Sequence, residues 1–112
     1  MYQIIILPSF KRELKRYIKK YRNLKDSLIE TLENFHQDQY PHLGNNIYKI
    51  RLKTKDIPKG KSKSFRLIVL LIEVDQFLVP ITIYFKGDQE NISNKELNDR
   101  LENVLFELKL KK

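Results

Sequence analysis

Lys49, Arg51 and Lys53 alternate with Tyr48, Ile50 and Leu52. A cation at every second residue is the period of a strand with one buried face, so the opposite face is a basic stripe. The stripe continues into a loop. Residues 48–66 read YKIRLKTKDIPKGKSKSFR, and of these 19 residues eight are Lys or Arg (49, 51, 53, 55, 59, 61, 63, 66) while Asp56 alone is acidic. That is about twice the background of 22 basic residues in 112. A solvated strand face with a Lys-rich surface loop is the plain reading of such a stretch. Position argues for more. Like charges standing on a strand are held in fixed geometry, and their repulsion costs free energy unless an anion such as phosphate lies among them.

The rest of the chain bounds what this row can do. A length of 112 residues with 41% hydrophobic content fits one domain with its own core, residues 1–112. Zero Cys excludes disulfides, thiolate metal sites and a Cys nucleophile, and accords with a reducing, cytoplasmic setting. No apolar stretch is long enough to span a bilayer, and the opening MYQIIILPSF lacks the basic start and small-residue cleavage site of a secretory signal, so a soluble protein without membrane contact is expected. A net charge of +8 and a pI near 9.7 point to a polyanion or an acidic protein as partner.

The elements that must position the row follow in order. Residues 4–7 are β-branched-rich and stop at Pro8, which predicts a first strand buried on both faces or nearly so. Ser9 offers an N-cap. Phe10, Leu14, Tyr17, Ile18 and Tyr21 then recur at helical spacing, opposite Lys11, Arg12, Lys15, Arg16, Lys19 and Lys20. That basic face could touch RNA, although a solvated helix exterior is the simpler reading. Leu24, Leu28, Leu32 and Phe35 resume the period as a second helix, giving an α-hairpin or one kinked helix. The polar stretch 37–46 delivers the chain into the basic strand. His36 and His42 share no metal-ligand spacing with each other or with carboxylates, so no metal is expected.

The loop 54–64, with Pro58, Gly60 and Lys55, Lys59, Lys61 and Lys63, is a candidate phosphate-contacting loop, but it lacks the spacing of a Walker A motif. FRLIVLLIE, 65–73, is the strongest strand and should be central. Arg66 near its start must face solvent, a carboxylate or a ligand, because an unpaired buried guanidinium is too costly. Residues 74–76 form a turn, and 77–85 a partner strand in which Pro80 demands a bulge or an open side. Ser93 as cap, Glu96 at N3 and an Ile92/Leu97 staple start a final helix with a stripe at Leu97, Leu101, Val104, Leu105 and Leu108. Phe106 and Leu110 lie off that stripe. They mark a partner groove or a homodimer seam, or, as the favoured reading, pack in the core against the sheet.

In this order the residues resemble the RelE/ParE superfamily of bacterial type II toxins, in particular its RelE/HigB-like branch. The likeness runs through F-K-R-E-L-K at the first helix, L-G-N-N-I-Y-K-I-R-L from Leu43, G-K-S from Gly60, F-R-L-I from Phe65, I-Y-F-K from Ile83 and E-N-I-S-N-K-E-L from Glu90. It implies an α+β fold: an N-terminal strand and helical hairpin packed on a mainly antiparallel sheet, then a C-terminal helix. It also implies a toxin that cleaves mRNA without metal or cofactor, in many relatives on the ribosome, and that is held by a cognate antitoxin in a hetero-oligomer. Other members poison DNA gyrase instead, and a gyrase-inhibiting toxin or a non-catalytic, inactivated nucleic-acid-binding relative stay open as alternatives.

Carried over by motif, the family's functional basic residues fall on Lys49, Arg51 and Arg66, and Lys86 matches the basic position after the last strand. The branch often reads G-K-S-G-G before the aromatic and Arg; here Lys63 and Ser64 replace the glycines. Some relatives also carry a catalytic Arg and Tyr after the last strand. Residues 87–94 hold neither, which makes Tyr84 the nearest candidate, although a half-buried strand aromatic is its simpler role.

Cleavage through the 2′-OH needs a base, an acid for the leaving oxygen and stabilisation of charge on phosphate. Arg stays protonated, so the base falls to Lys49 or Lys53, whose pKa neighbouring cations would depress. Arg51 and Arg66 would bind the scissile phosphate, and Tyr84 or Lys86 would orient the nucleotide or protonate the leaving oxygen. Lys53, Lys55, Lys59, Lys61 and Lys63 would extend the RNA-binding surface.

Overall fold

A computed structural model describes residues 2–57, 64–87, 89 and 91–110. The elements are β1 (Gln3–Ile4), α1 (Pro8–Ile18), α2 (Leu24–Glu33), a 3-10 turn (Gln37–Gln39), β2 (Ile47–Leu52), β3 (Phe65–Ile72), β4 (Phe77–Phe85) and α3 (Asn94–Leu110). The strands form one sheet in the order β1-β4-β3-β2, antiparallel except for the β1–β4 pair. This is the expected α+β architecture, with the helical hairpin on one sheet face and α3 on the other.

The apolar residues divide accordingly. Phe10, Leu14, Leu24, Leu28 and Leu32 from the hairpin pack with Ile50, Leu52, Phe65, Leu67, Val69 and Leu71 on one face. Val104 packs with Ile68, Leu70, Val79 and Ile81 on the other, flanked by Leu97, Leu101 and Leu108. Every residue of β3 from Phe65 to Leu71 is buried, as its unbroken apolar run requires of a central strand. Burying one such large side chain contributes about 1.5 to 3 kcal/mol. Phe65 is also ringed by Tyr17, Tyr21 and Phe85 at centroid distances of 5.1, 5.0 and 5.1 Å. This aromatic group fixes the start of β3, where Arg66 follows.

The bulge forecast from Pro80 is present. Ile68 pairs with Thr82 and Val69 with Pro80, leaving Ile81 as the extra residue. Because side chains alternate along a strand, one extra residue exchanges the faces beyond it. Leu78 before the bulge and Ile83 after it both face the helical hairpin, while Tyr84 is turned to the α3 side.

Four local expectations are corrected. The first strand is two residues long, Gln3–Ile4, and lies half-exposed at the sheet edge rather than buried on both faces. Ser9 does not cap α1: the helix begins at Pro8, whose fixed φ suits the first turn, with Leu7 at the N-cap position. The Ser9 N–H instead donates to the Glu107 carboxylate of α3 at 3.1 Å, and Arg100 meets Glu13 of α1 at 3.5 Å, so two polar contacts join α1 to α3. Leu105 is half-exposed, and Phe106 and Leu110 are 63% and 69% exposed, so none of the three packs in the core. Residues 97, 101, 104 and 108 already complete the stripe that faces the sheet, which leaves the other side of α3 to water. At its start α3 is capped as expected, the Glu96 N–H donating to Ser93 Oγ at 3.1 Å.

Candidate active site

β2, β3 and the end of β4 carry the basic row on the α3 side of the sheet, beyond the stretch that α3 covers. Arg51 pairs with Arg66 across β2 and β3, and Arg66 pairs with Tyr84 across β3 and β4. Lys49 lies two residues along β2, opposite Ile68. Gln39, Tyr40, Pro41, Lys49, Arg51 and Arg66 line a depression of about 490 Å³. No carboxylate is among these residues.

Its outer wall is built by the chain that enters β2. The Lys49 N–H donates to the Pro41 carbonyl at 3.1 Å, and that of Leu43 to the Ile47 carbonyl at 2.7 Å. Tyr40 stacks on Phe35 at 5.4 Å, and Tyr48 donates to Gln37 Oε1 at 3.3 Å. Asn45 and Asn46, with φ of 51° and 61°, make the tight turn into the strand, a conformation Asn tolerates well.

Of the settings expected for Arg66, open solvent is excluded: it is only 6% exposed, and it lines the depression. Burial of a guanidinium is tolerated where its donors are used. Arg66 donates to Ser64 Oγ and, at 3.5 Å, to the Phe65 carbonyl. Among the described residues the ion pairs are those of Arg100 with Glu13 and Glu96, so Lys49, Arg51, Arg66 and Lys86 have no carboxylate partner there. The result is a recessed cation, braced from behind, with like charges beside it.

Those neighbours act on the titrating groups. Partial burial, then the Arg66 and Lys86 charges, hold the Lys49 amine below the ordinary lysine range. Burial pushes the Tyr84 hydroxyl above the usual tyrosine value, against the pull of Arg66, so it stays a proton donor at neutral pH. Burial and then Arg51 lower Arg66 from its very high ordinary value, which for a guanidinium leaves the charge in place.

Lys49, Arg51, Arg66, Tyr84 and Lys86 are thus gathered by three adjacent strands, with the Lys86 N–H donating to the Ser64 carbonyl at 2.9 Å. Lys53 and Lys55 are not: both are exposed beyond the end of β2 and neither lines the depression. Of the two lysines nominated as base, Lys49 lines the depression and Lys53 does not. Lys59, Lys61 and Lys63 lie outside the described residues. The entry to their loop is pinned by Asp56, which accepts from the Asn23 N–H at 2.8 Å and from Thr54 Oγ1 at 3.0 Å.

Sequence reasoning missed two features of the site. Gln39, Tyr40 and Pro41 had been assigned only to a connecting turn, with nothing in their spacing to show that the turn folds back along β2. Asn91 accepts from the Lys49 ammonium at 3.0 Å and from the Tyr84 hydroxyl at 3.5 Å. Its place two residues before the Ser93 cap was a usable signal, since a capped helix holds the chain that enters it.

Comparison with known proteins agrees with the fold. A mutant of the E. coli toxin RelE in the free state is similar over 88% of this chain and 96% of its own, at 21% identity and a TM-score of 0.52. The intact E. coli RelBE toxin-antitoxin complex contains a chain similar over 74% of this one and 94% of its own, at 19% identity and a TM-score of 0.51. The search of curated proteins finds no match. The model of the family described as the RelE toxin of the RelE/RelB toxin-antitoxin system matches residues 9–110. With the family pattern running through nearly the whole chain and the strands, helices and basic row in place, this protein belongs to the RelE toxin family.

Proposed function

We propose that the protein is an endoribonuclease toxin that cuts mRNA, on the ribosome, using its own side chains for acid, base and charge stabilisation. The observation that carries this reading is the convergence of Lys49, Arg51 and Arg66 on one depression that no carboxylate lines among the described residues, with the Tyr84 hydroxyl beside it. Arg51 and Arg66 hold the scissile phosphate and meet the charge that grows on it. Lys49, as the neutral amine, takes the proton of the 2′-OH. The 2′-oxygen attacks phosphorus, the bond from phosphorus to the 5′-oxygen breaks, and Tyr84 or Lys86 gives that oxygen a proton. The products are a 2′,3′-cyclic phosphate and a 5′-hydroxyl.

A toxin with such a site requires restraint. The RelBE complex pairs a related fold with its antitoxin, which supports a cognate antitoxin for this chain and a cytoplasmic hetero-oligomer. None of the described helices is long and apolar enough to cross a membrane. The test is induction of the protein alone in bacteria with transcript ends mapped. New ends inside translated mRNA are expected, together with growth arrest. Intact transcripts with DNA breaks would move the assignment to gyrase poisoning, and unhindered growth would indicate an inactive relative.

A further inference from the structure

Asn91 lies in the segment between β4 and α3, at the edge of the basic depression. Its side-chain oxygen accepts from three groups: the Lys49 Nζ at 3.0 Å, the Ile92 N–H at 3.2 Å and the Tyr84 hydroxyl at 3.5 Å. Its own carbonyl accepts from Gln89 Nε2 at 3.0 Å. The bond to the Ile92 N–H fixes the side-chain rotamer. Ile92 packs on the α3-side core, and Ser93 caps the helix immediately after it. The amide oxygen is therefore held by the seat of α3, while the groups it receives come from β2 and β4.

We infer that Asn91 is a positioning residue for catalysis: it aims the Lys49 amine into the depression and keeps the Tyr84 hydroxyl within reach of the same phosphate. This rests on the ribonuclease reading above. A neutral amine has two N–H donors and one lone pair. With one N–H given to Asn91, the lone pair is free to face the depression, where a 2′-OH would lie. Without that acceptor, the flexible four-carbon stem of Lys49 is repelled by Arg66 and Lys86 and swings toward solvent.

Asn91 also sets proton affinity. Among the described residues the charges that act on Lys49 are Arg66 on β3 and Lys86 after β4; Arg51 on its own strand lines the same depression, and Tyr84 on β4 feels Arg66 and Glu96 in the first turn of α3. A hydrogen bond accepted from the ammonium favours the charged form, opposing Arg66 and Lys86. Removing the acceptor should lower the Lys49 pKa further. A carboxylate in its place should raise it.

The test compares Asn91→Ala and Asn91→Asp with the wild-type chain by two readouts. The first follows Lys49 by NMR of lysine labelled at Cε, with Lys49→Arg to assign the signal, and does not depend on activity. The second is single-turnover cleavage of an RNA oligonucleotide across pH. Expected are a downward shift of the Lys49 titration in Asn91→Ala and an upward shift in Asn91→Asp. In Asn91→Ala the maximal rate should fall by about tenfold or more with RNA affinity little changed. In Asn91→Asp the acid limb of the rate profile should move to higher pH, and the rate should recover above it, because both hydrogen bonds are kept. A Lys49 titration that stays the same in both variants would overturn the role of Asn91. The expected shifts in the two variants, with a wild-type chain that cuts no RNA, would leave Asn91 as the holder of Lys49 and defeat the ribonuclease reading instead.

Discussion

Arg51 and Arg66 are direct cross-strand partners, one exposed on the edge strand β2 and the other buried on the central strand β3. Like charges directly opposite each other destabilise a sheet, typically by a few tenths of a kcal/mol up to about 1 kcal/mol. The protein holds that repulsion in a place where phosphate would relieve it. Arg66→Ala is expected to reduce cleavage by about 100-fold or more, the scale for removing one donor to a charged transition state. Arg66→Met, which keeps the stem and drops the charge, should be equally inactive while unfolding in urea at or above the wild-type midpoint. Loss of cooperative unfolding in both variants would instead show that the guanidinium is needed to build β3.

Salt should weaken binding in proportion to the cations used. If Lys49, Arg51, Arg66 and Lys86 each contact a phosphate, the logarithm of affinity for single-stranded RNA should fall with the logarithm of salt at a slope of about −3. Arg51→Ala and Lys86→Ala should each flatten that slope by roughly 0.7. Fluorescence anisotropy with a labelled oligonucleotide over a potassium chloride series measures it, and a flat line would remove the row from RNA binding.

The cleavage rate should rise with pH on a limb set by Lys49. Its amine is held low by burial, then by Arg66 and Lys86, so the limb should sit below the ordinary lysine range. Lys49→Arg keeps the charge but cannot give up its proton. That variant should bind RNA nearly as the wild type does, cut at least about 100-fold more slowly, and show no such limb.

Glu13 gives a stability test independent of function. Burial raises its pKa, against the lowering effects of the Thr82 hydroxyl at 3.0 Å and the Arg100 charge. With the folded value above the unfolded one, the folded state binds the extra proton in the window between them. The associated stabilisation is complete below the unfolded value near the ordinary Glu pKa, and is lost as pH rises through the raised folded value. The urea midpoint of Glu13→Gln relative to wild type should therefore climb as pH rises through that window. A difference that stays constant would show that Glu13 titrates as an ordinary exposed carboxyl.

Much of this fold was legible because its elements carry strong local signals. The period of Phe10 and Leu14, the Ser93 cap and the apolar run of β3 each specify an element without help from the rest of the chain. The first strand was misjudged for a physical reason: residues 4–7 look like a buried strand in composition, but ladder pairing to β4 extends only over Gln3 and Ile4 before Pro8 starts α1. Alternation placed Lys49 and Arg51 correctly. It could not show that Arg66 is buried, since its depth depends on Ser64, the Phe65 carbonyl and Tyr84, which pattern does not bring together. Asn91 was missed because its role depends on contacts with residues 42 and 7 positions away in sequence.

The bulge at Ile81 makes the site depend on counting. Leu78 and Tyr84 face opposite sides of the sheet because one unpaired residue stands between them, so the length of this segment matters more than its composition. Val79 or Ile81 can be exchanged for another apolar residue of similar volume at modest cost. Loss of the single codon for Ile83, beyond the bulge, would instead turn Tyr84 toward the helical hairpin and bring Phe85 round beside Arg66. Across descendants of this gene, β4 is therefore free to drift in residue type but is locked in length beyond the bulge, and insertions or deletions between Thr82 and Tyr84 should be purged far more strictly than substitutions.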